Sequence, residues 1–271
     1  MRPRLAAPRA SPYPRQHDAT FRPAVLASLS SLLTPSTALA NGHRARATTF
    51  GDLPMTPLSV LRDAWYFSRN NLLAIASLTL PLLVLEATAQ VLLAAQLGAG
   101  ANPAYGILLG ILFYPLYAGP LILFLHARSN GQAPGNAQLL AAGLQLWPRF
   151  ALLAGISTLA IMLGLSLMIV PGIWVMVRLA FAELVLVLHQ ETPLRALQAS
   201  VTMTAGRFWP VLTCLLSVLA PLWLLDALTT PPPSQTLLWV IQQSVSGFLQ
   251  LFALIVLFRL FMLFETQQNR A

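Results

Sequence analysis

Residues 150–189 read FALLAGISTLAIMLGLSLMIVPGIWVMVRLAFAELVLVLH, forty positions that include one arginine and one glutamate. A hydrocarbon core about 30 Å thick is crossed by roughly 20 helical residues, so a stretch this long predicts two spans. The division is expected at Val170-Pro171-Gly172, because proline cannot continue a helix and glycine permits a tight reversal. Working outward from this hairpin, similar runs occupy Asn71 to Gln96, Ala104 to His126, Phe208 to Leu228 and Thr236 to Phe264. With Phe150 to Val170 and Gly172 to His189 they make six predicted transmembrane helices. The fold class is therefore all-α, a polytopic membrane protein.

Composition agrees. The chain has 271 residues, is 56% hydrophobic and 9% charged, and has a mean hydropathy of +0.69. A soluble domain carries about 25% charged residues. The net charge of +8 divides unevenly: residues 1–54 hold seven Arg against two Asp, and the remainder holds nine Arg against six acids. No basic stripe with interleaved aromatics is present, which argues against a nucleic-acid partner. Cys214 is the one cysteine and lies in an apolar run, where it reads as a small hydrophobe.

The arginines fall in alternate gaps. Arg62, Arg69, Arg128, Arg149, Arg195, Arg207 and Arg270 lie at one end of the spans, with Arg259 near that end of the last. Leu97 to Pro103, Pro171-Gly172 and Thr229 to Ser234 at the other end hold none. The positive-inside bias therefore places both termini in the cytoplasm. Residues 1–54 have three readings: a poor signal peptide ending at Ala38-Leu39-Ala40, an Arg-rich transit peptide, or a start assigned too early. Met55 stands directly before the first patterned segment, and the absence of lysine suits a GC-rich gene, which favours the early start. Residues 1–54 are expected to be a disordered leader, and 55–271 the membrane domain.

A similar segment precedes each outward span. Thr56-Pro57-Leu58 and Thr192-Pro193-Leu194 both set threonine at an N-cap and proline at the first helical position, and Ala133-Pro134-Gly135-Asn136 opens a third segment ending at Pro148-Arg149. Apolar residues recur at helical spacing, as with Leu58, Leu61 and Trp65, or Leu194, Leu197 and Val201. Three short cytoplasmic amphipathic helices are expected at the headgroups, and with them a parallel threefold repeat of amphipathic helix, outward span and returning span. Amphipathic connectors common to any hairpin protein would give the same pattern.

Leu58-Ser59-Val60-Leu61-Arg62-Asp63 with Phe67, Arg69 and Asn70, Ile169-Val170-Pro171-Gly172-Ile173, Ala199-Ser200 with Thr204, and Leu257-Phe258-Arg259-Leu260-Phe261-Met262-Leu263 resemble the YciC family of bacterial inner-membrane proteins over Pro57 to Phe264. The resemblance implies a six-span protein of the bacterial cytoplasmic membrane and brings no established reaction. The chain departs from the family pattern in a very short connection between its first two spans, and in Arg178 and Glu183.

Ionisable groups inside a membrane cost roughly 2.5–3.5 kcal/mol on insertion scales, so each is a functional candidate. Glu86, Gln90, Arg178 and Glu183 fall in a similar depth band and form the candidate intramembrane cluster. Burial satisfied by pairing, protonation or snorkelling explains the same residues more plainly. No run of acids and no interrupted helix of the kind found in coupled transporters is legible. The polar face of the sixth span, Gln242 to Gln250, reads as helix contact, and Gly106-x-x-x-Gly110 as close packing.

No nucleophile elbow, zinc motif or phosphate loop occurs, and His126 and His189 lack a third ligand at metal spacing, so neither an enzyme nor a cofactor is expected. Arg69, Trp147, Arg149, Arg207 and Trp209 are the candidate headgroup contacts. Two functions remain: contact with lipids, a membrane-protein partner or a second copy in cell-envelope maintenance, or a small-solute or ion pathway through Glu86, Arg178 and Glu183. A cavity reaching those side chains would favour the second; a packed interior would favour the first.

Overall fold

The computed structural model describes residues 57–98, 102, 104–229 and 236–268; the leader, Met55, Thr56, Arg270 and most of the two arginine-poor loops lie outside them. Nine helices are present among the described residues, and no strand. They are α1 (Pro57–Asn70), α2 (Leu72–Leu97), α3 (Ala104–Ser129), α4 (Asn136–Leu167), α5 (Ile169–Leu179), α6 (Ala182–His189), α7 (Pro193–Met203), α8 (Phe208–Thr229) and α9 (Thr236–Gln268). Six spans are long and apolar enough to cross a membrane, with α5 and α6 together supplying the fourth over Ile169–His189.

Burial alternates along the chain. The first, third and fifth spans, named outward after the expected repeat, have 28%, 17% and 22% of their most apolar window buried, against 50%, 39% and 56% for the second, fourth and sixth, named returning. The returning spans are therefore the interior and the outward spans the jacket. Hydropathy cannot distinguish them, because lipid and protein core select the same residues. The returning spans meet through Phe181, which lies 5.9 Å from Phe261 and 5.7 Å from Phe264, ring centre to ring centre. Burial is continuous over residues 117–125 in α3 and nearly so over 181–187 in α6 and 251–264 in α9.

The three short segments occupy equivalent places. α1 packs on α8 and α9, α7 packs on α4, α5 and α6, and the start of α4 packs on α3 and reaches α2 through a hydrogen bond from Asn136 Nδ2 to Ser77 Oγ, each against the preceding unit in cyclic order. Their inward seams share one register: Val60 and Ala64, Leu139 and Gly143, Ala196 and Ser200 are all buried. The larger apolar stripe faces away, with Leu58, Trp65, Leu144 and Leu194 exposed. The second residue of each pair, Ala64, Gly143 or Ser200, is small and lets backbones approach, as is usual between helices in lipid.

Two expectations are corrected. The third amphipathic segment is no separate helix, since Pro148 lies inside α4, whose 32 residues run about 48 Å at 1.5 Å each. The hairpin reversal falls on Met168, which is extended at φ −168° and ψ 159°, while Pro171 and Gly172 lie in the first turn of α5. Gly172 serves close approach: a Cβ there would stand 2.4 Å from Leu165 Cδ2, and one on Gly164 would stand 2.9 Å from Gly172 Cα. Proline is tolerated at that position because the first helical N–H groups have no intrahelical partner.

Candidate intramembrane carboxylate site

The fourth span is interrupted at Ala180 and Phe181, which carry no proline or glycine. The interruption is held by α7. Ser200 Oγ donates to the Arg178 carbonyl at 2.8 Å and accepts from Phe181 N at 3.1 Å, so one buried hydroxyl satisfies a freed acceptor and a freed donor. Arg178 Nη1 donates to the Val201 carbonyl at 3.0 Å, and its guanidinium lies 5.0 Å from the Trp174 ring centre. Ala180 and Phe181 keep right-handed helical dihedrals, so the span is kinked and not unwound, and the kink arises from a tertiary contact between segments about twenty residues apart.

Glu183 follows in the first turn of α6, where the helix dipole favours a carboxylate. It borders a cavity of about 350 Å³ between α2, α3, α4 and α6. Glu86 enters the same cavity from α2, and Tyr114 and Tyr117 from α3. Tyr114 donates to Glu183 Oε2 at 2.6 Å, while its ring stands edge-on to Tyr117 at 5.6 Å. Gln90 Nε2 donates to Glu86 Oε1 at 3.3 Å, and the Tyr117 phenol stands beside the same carboxylate. Glu86 Oε2 and Ser157 Oγ, both on cavity-lining residues, are buried and make no hydrogen bond. The remaining wall is largely Ile107, Ile111 and Ile161.

The candidate cluster thus divides. Glu86 and Glu183 line the cavity and Gln90 supports Glu86, whereas Arg178 is turned toward α7 and is absent from the lining. The pairing of Arg178 with either acid is not formed. Tyr114 and Tyr117 were missed as site residues, although their three-residue spacing on α3 sets both on one helical face. Asp226 was also missed. It accepts from Ser246 across α8 and α9, and Gln242 Nε2 donates to Thr229 Oγ1 at 2.9 Å, so the polar face of the sixth span is a helix contact in these two places.

The candidate headgroup contacts divide too. Arg69 and Trp209 are exposed. Arg207 lies 4.5 Å from the Phe264 ring centre, Trp147 Nε1 donates to the Leu112 carbonyl at 2.8 Å, and Arg149 is half-buried well inside α4. At the arginine-rich end His189 Nε2 lies 3.3 Å from Glu265 Oε1, and Asn130 Nδ2 lies 3.0 Å from His126 Nε2. Among the described residues no three His, Cys, Asp or Glu side chains group as a metal site.

Six spans, an interior of returning helices and a carboxylate-lined cavity beside an interrupted helix define a multi-pass α-helical membrane protein. Residues 102–263 match the model of UPF0259, described as an uncharacterised protein family, and the chain belongs to it. That match takes in α3 to α9, with Tyr114 and Glu183, and leaves out α2 with Glu86. Among curated proteins, the chain is 27% identical over 152 residues to a UPF0259 membrane protein of Yersinia pestis (strain Pestoides F) and, to the same extent, to one of Yersinia pseudotuberculosis serotype O:1b. The match takes 55% of this chain and spans 59% of the length of those relatives. No solved structure matches the chain.

Proposed function

We propose that the protein forms a pathway or binding site for a small solute or ion within the bacterial inner membrane, working by binding and passage without catalysis. The observation that supports this reading is the cavity that joins Glu86 and Glu183 beside an interrupted helix. Carboxylates are expensive at membrane depth and commonly mark substrate and ion pathways. The arginine bias supports a cytoplasmic placement of both ends of the membrane domain. The YciC resemblance and the UPF0259 match support the inner membrane as the location.

The test is flux in proteoliposomes loaded with pH-sensitive and potential-sensitive dyes. Wild type should dissipate an imposed proton or cation gradient faster than Glu86→Gln or Glu183→Gln reconstituted to equal density. Wild-type vesicles as tight as empty ones, under every gradient applied, would overturn the reading.

A second reading, contact with lipids, a membrane-protein partner or a second copy in maintenance of the cell envelope, is favoured by the outward stripe on α1 and α7. Leu58, Trp65 and Leu194 are exposed there beside Arg62 and Arg69, a composition suited to anionic headgroups. Vesicle binding of a peptide covering α1, compared between anionic and neutral lipid, distinguishes it.

A further inference from the structure

We infer that the cavity between α2, α3, α4 and α6 is built for a small organic monocation with an apolar body, such as an amphiphilic amine or quaternary ammonium. The inference rests on the proposed pathway reading and names its ligand class. Size is the first ground. At about 30 Å³ per water, 350 Å³ holds roughly a dozen, which is far more than a bare inorganic ion fills and lies within the range of small-molecule pockets.

Charge is the second ground. Two carboxylates reach the cavity and no arginine lines it, so an anion would find no cationic partner there. The carboxylates are not equivalent. Tyr114 already donates to Glu183, whereas Glu86 keeps Oε2 buried and without a hydrogen bond. A cation that reached Glu86 would supply the partner its buried Oε2 lacks.

The walls supply the third ground. Ile107, Ile111 and Ile161 offer an apolar surface and few donors, which disfavours a sugar-like ligand that needs a partner for each hydroxyl. Tyr114 and Tyr117 add ring faces of the kind that attract alkylammonium groups. Ser157 and Thr158 add hydroxyls on the α4 side, which could orient a ligand.

The experiment measures binding of benzyltrimethylammonium to the purified full-length protein by equilibrium dialysis. The uncharged isostere neopentylbenzene and sodium serve as competitors. Saturable binding that weakens at least tenfold in Glu86→Gln, weakens less in Glu183→Gln and resists neopentylbenzene is the expected result. Ile161→Trp, which fills the cavity without altering charge, should also weaken benzyltrimethylammonium at least tenfold and leave sodium binding unchanged. Equal displacement by neopentylbenzene, or undiminished binding in both Glu86→Gln and Ile161→Trp, would overturn the inference. If benzyltrimethylammonium fails to bind while sodium binding or proton uptake depends on Glu86, the inference falls and the pathway reading stands. If no cation binds in a Glu86-dependent manner, both fall.

Discussion

The two ends of the returning spans differ in packing. Toward the arginine-rich end, residues 117–125, 181–187 and 251–264 are largely enclosed by one another and by α1, α7 and the start of α4. Toward the arginine-poor end, Leu108, Leu112, Trp174, Leu237, Leu238 and Ile241 on the same three spans are exposed. In lipid there is no hydrophobic force to bring helices together, so side-chain fit decides which half closes. The closed half has interlocking aromatics and a small-residue seam from each short segment. The open half lacks those extra segments, and the cavity lies where the two halves meet, with Tyr117 and Glu183 from the closed half bordering it beside Glu86.

The sharpest way to break this comparison is to empty the closed half. Phe261 is fully buried against Phe181 and the His189 ring. Phe261→Ala should cost about 3–5 kcal/mol, read as a shift in the detergent-induced unfolding curve. Leu238→Ala, at an exposed position of the same helix, should stay within about 0.5 kcal/mol. Equal effects would mean that the two halves do not differ in packing. Glycines sharpen the point from the other side. A Cβ on Gly143 would stand 2.4 Å from Pro120 Cγ, whereas one on Gly106 would meet nothing within 4 Å. Gly143→Ala should therefore cost about 1–3 kcal/mol by overpacking, and Gly106→Ala should leave the unfolding midpoint unchanged.

How far this difference could be read in advance depends on what each residue does. Six spans were legible because a bilayer demands long apolar runs, and the structure places them within a few residues of those read from hydropathy, apart from the start of the third. The Thr192-Pro193 helix start was legible because proline's preference for the first helical position is local, and Pro193 opens α7, although the Thr192 side chain makes no capping hydrogen bond. The inward faces were not. Leu58 and Trp65 dominate the pattern of α1, yet the buried seam is Val60 and Ala64, because in lipid the larger apolar side chains can face out. Pro148 reads as a boundary and is not one, since α4 continues through it along α3.

In the candidate site, Glu86 and Glu183 were found as charges in apolar runs, which is a signal of composition. Their union with Tyr114 and Tyr117 could not be found that way. It depends on α6 beginning at Ala182, and that start depends on Ser200, which is distant in sequence. Arg178 was misassigned for the same reason. The Val201 carbonyl that it reaches is presented by α7, and nothing in the fourth span announces it.

Ser200→Ala tests that dependence with a smaller effect. It removes the hydroxyl that serves both Arg178 O and Phe181 N, leaving a buried donor and acceptor unmatched, and should cost about 1–3 kcal/mol. Its distinguishing readout is faster amide exchange at Phe181 with the α3 core unaffected. Uniformly faster exchange would mean that Ser200 supports the bundle at large and does not specifically hold the interruption beside Glu183.

The smallest effect belongs to the contact that ties α6 to α9 at the arginine-rich end. His189 and Glu265 are 3.3 Å apart with side chains 27% and 36% exposed, so water and salt screen them. Glu265→Gln should cost about 0.2–1 kcal/mol at low ionic strength, the usual worth of such a pair. The same helices already meet through Phe261, Phe264 and Phe181, and the closed half should therefore hold without the ion pair. Raising salt to 1 M should shrink the difference between wild type and variant if the attraction is between charges. A cost that persists unchanged in high salt would identify a neutral hydrogen bond, and a cost above 2 kcal/mol would mean that polar contact, as well as aromatic packing, closes this half of the bundle.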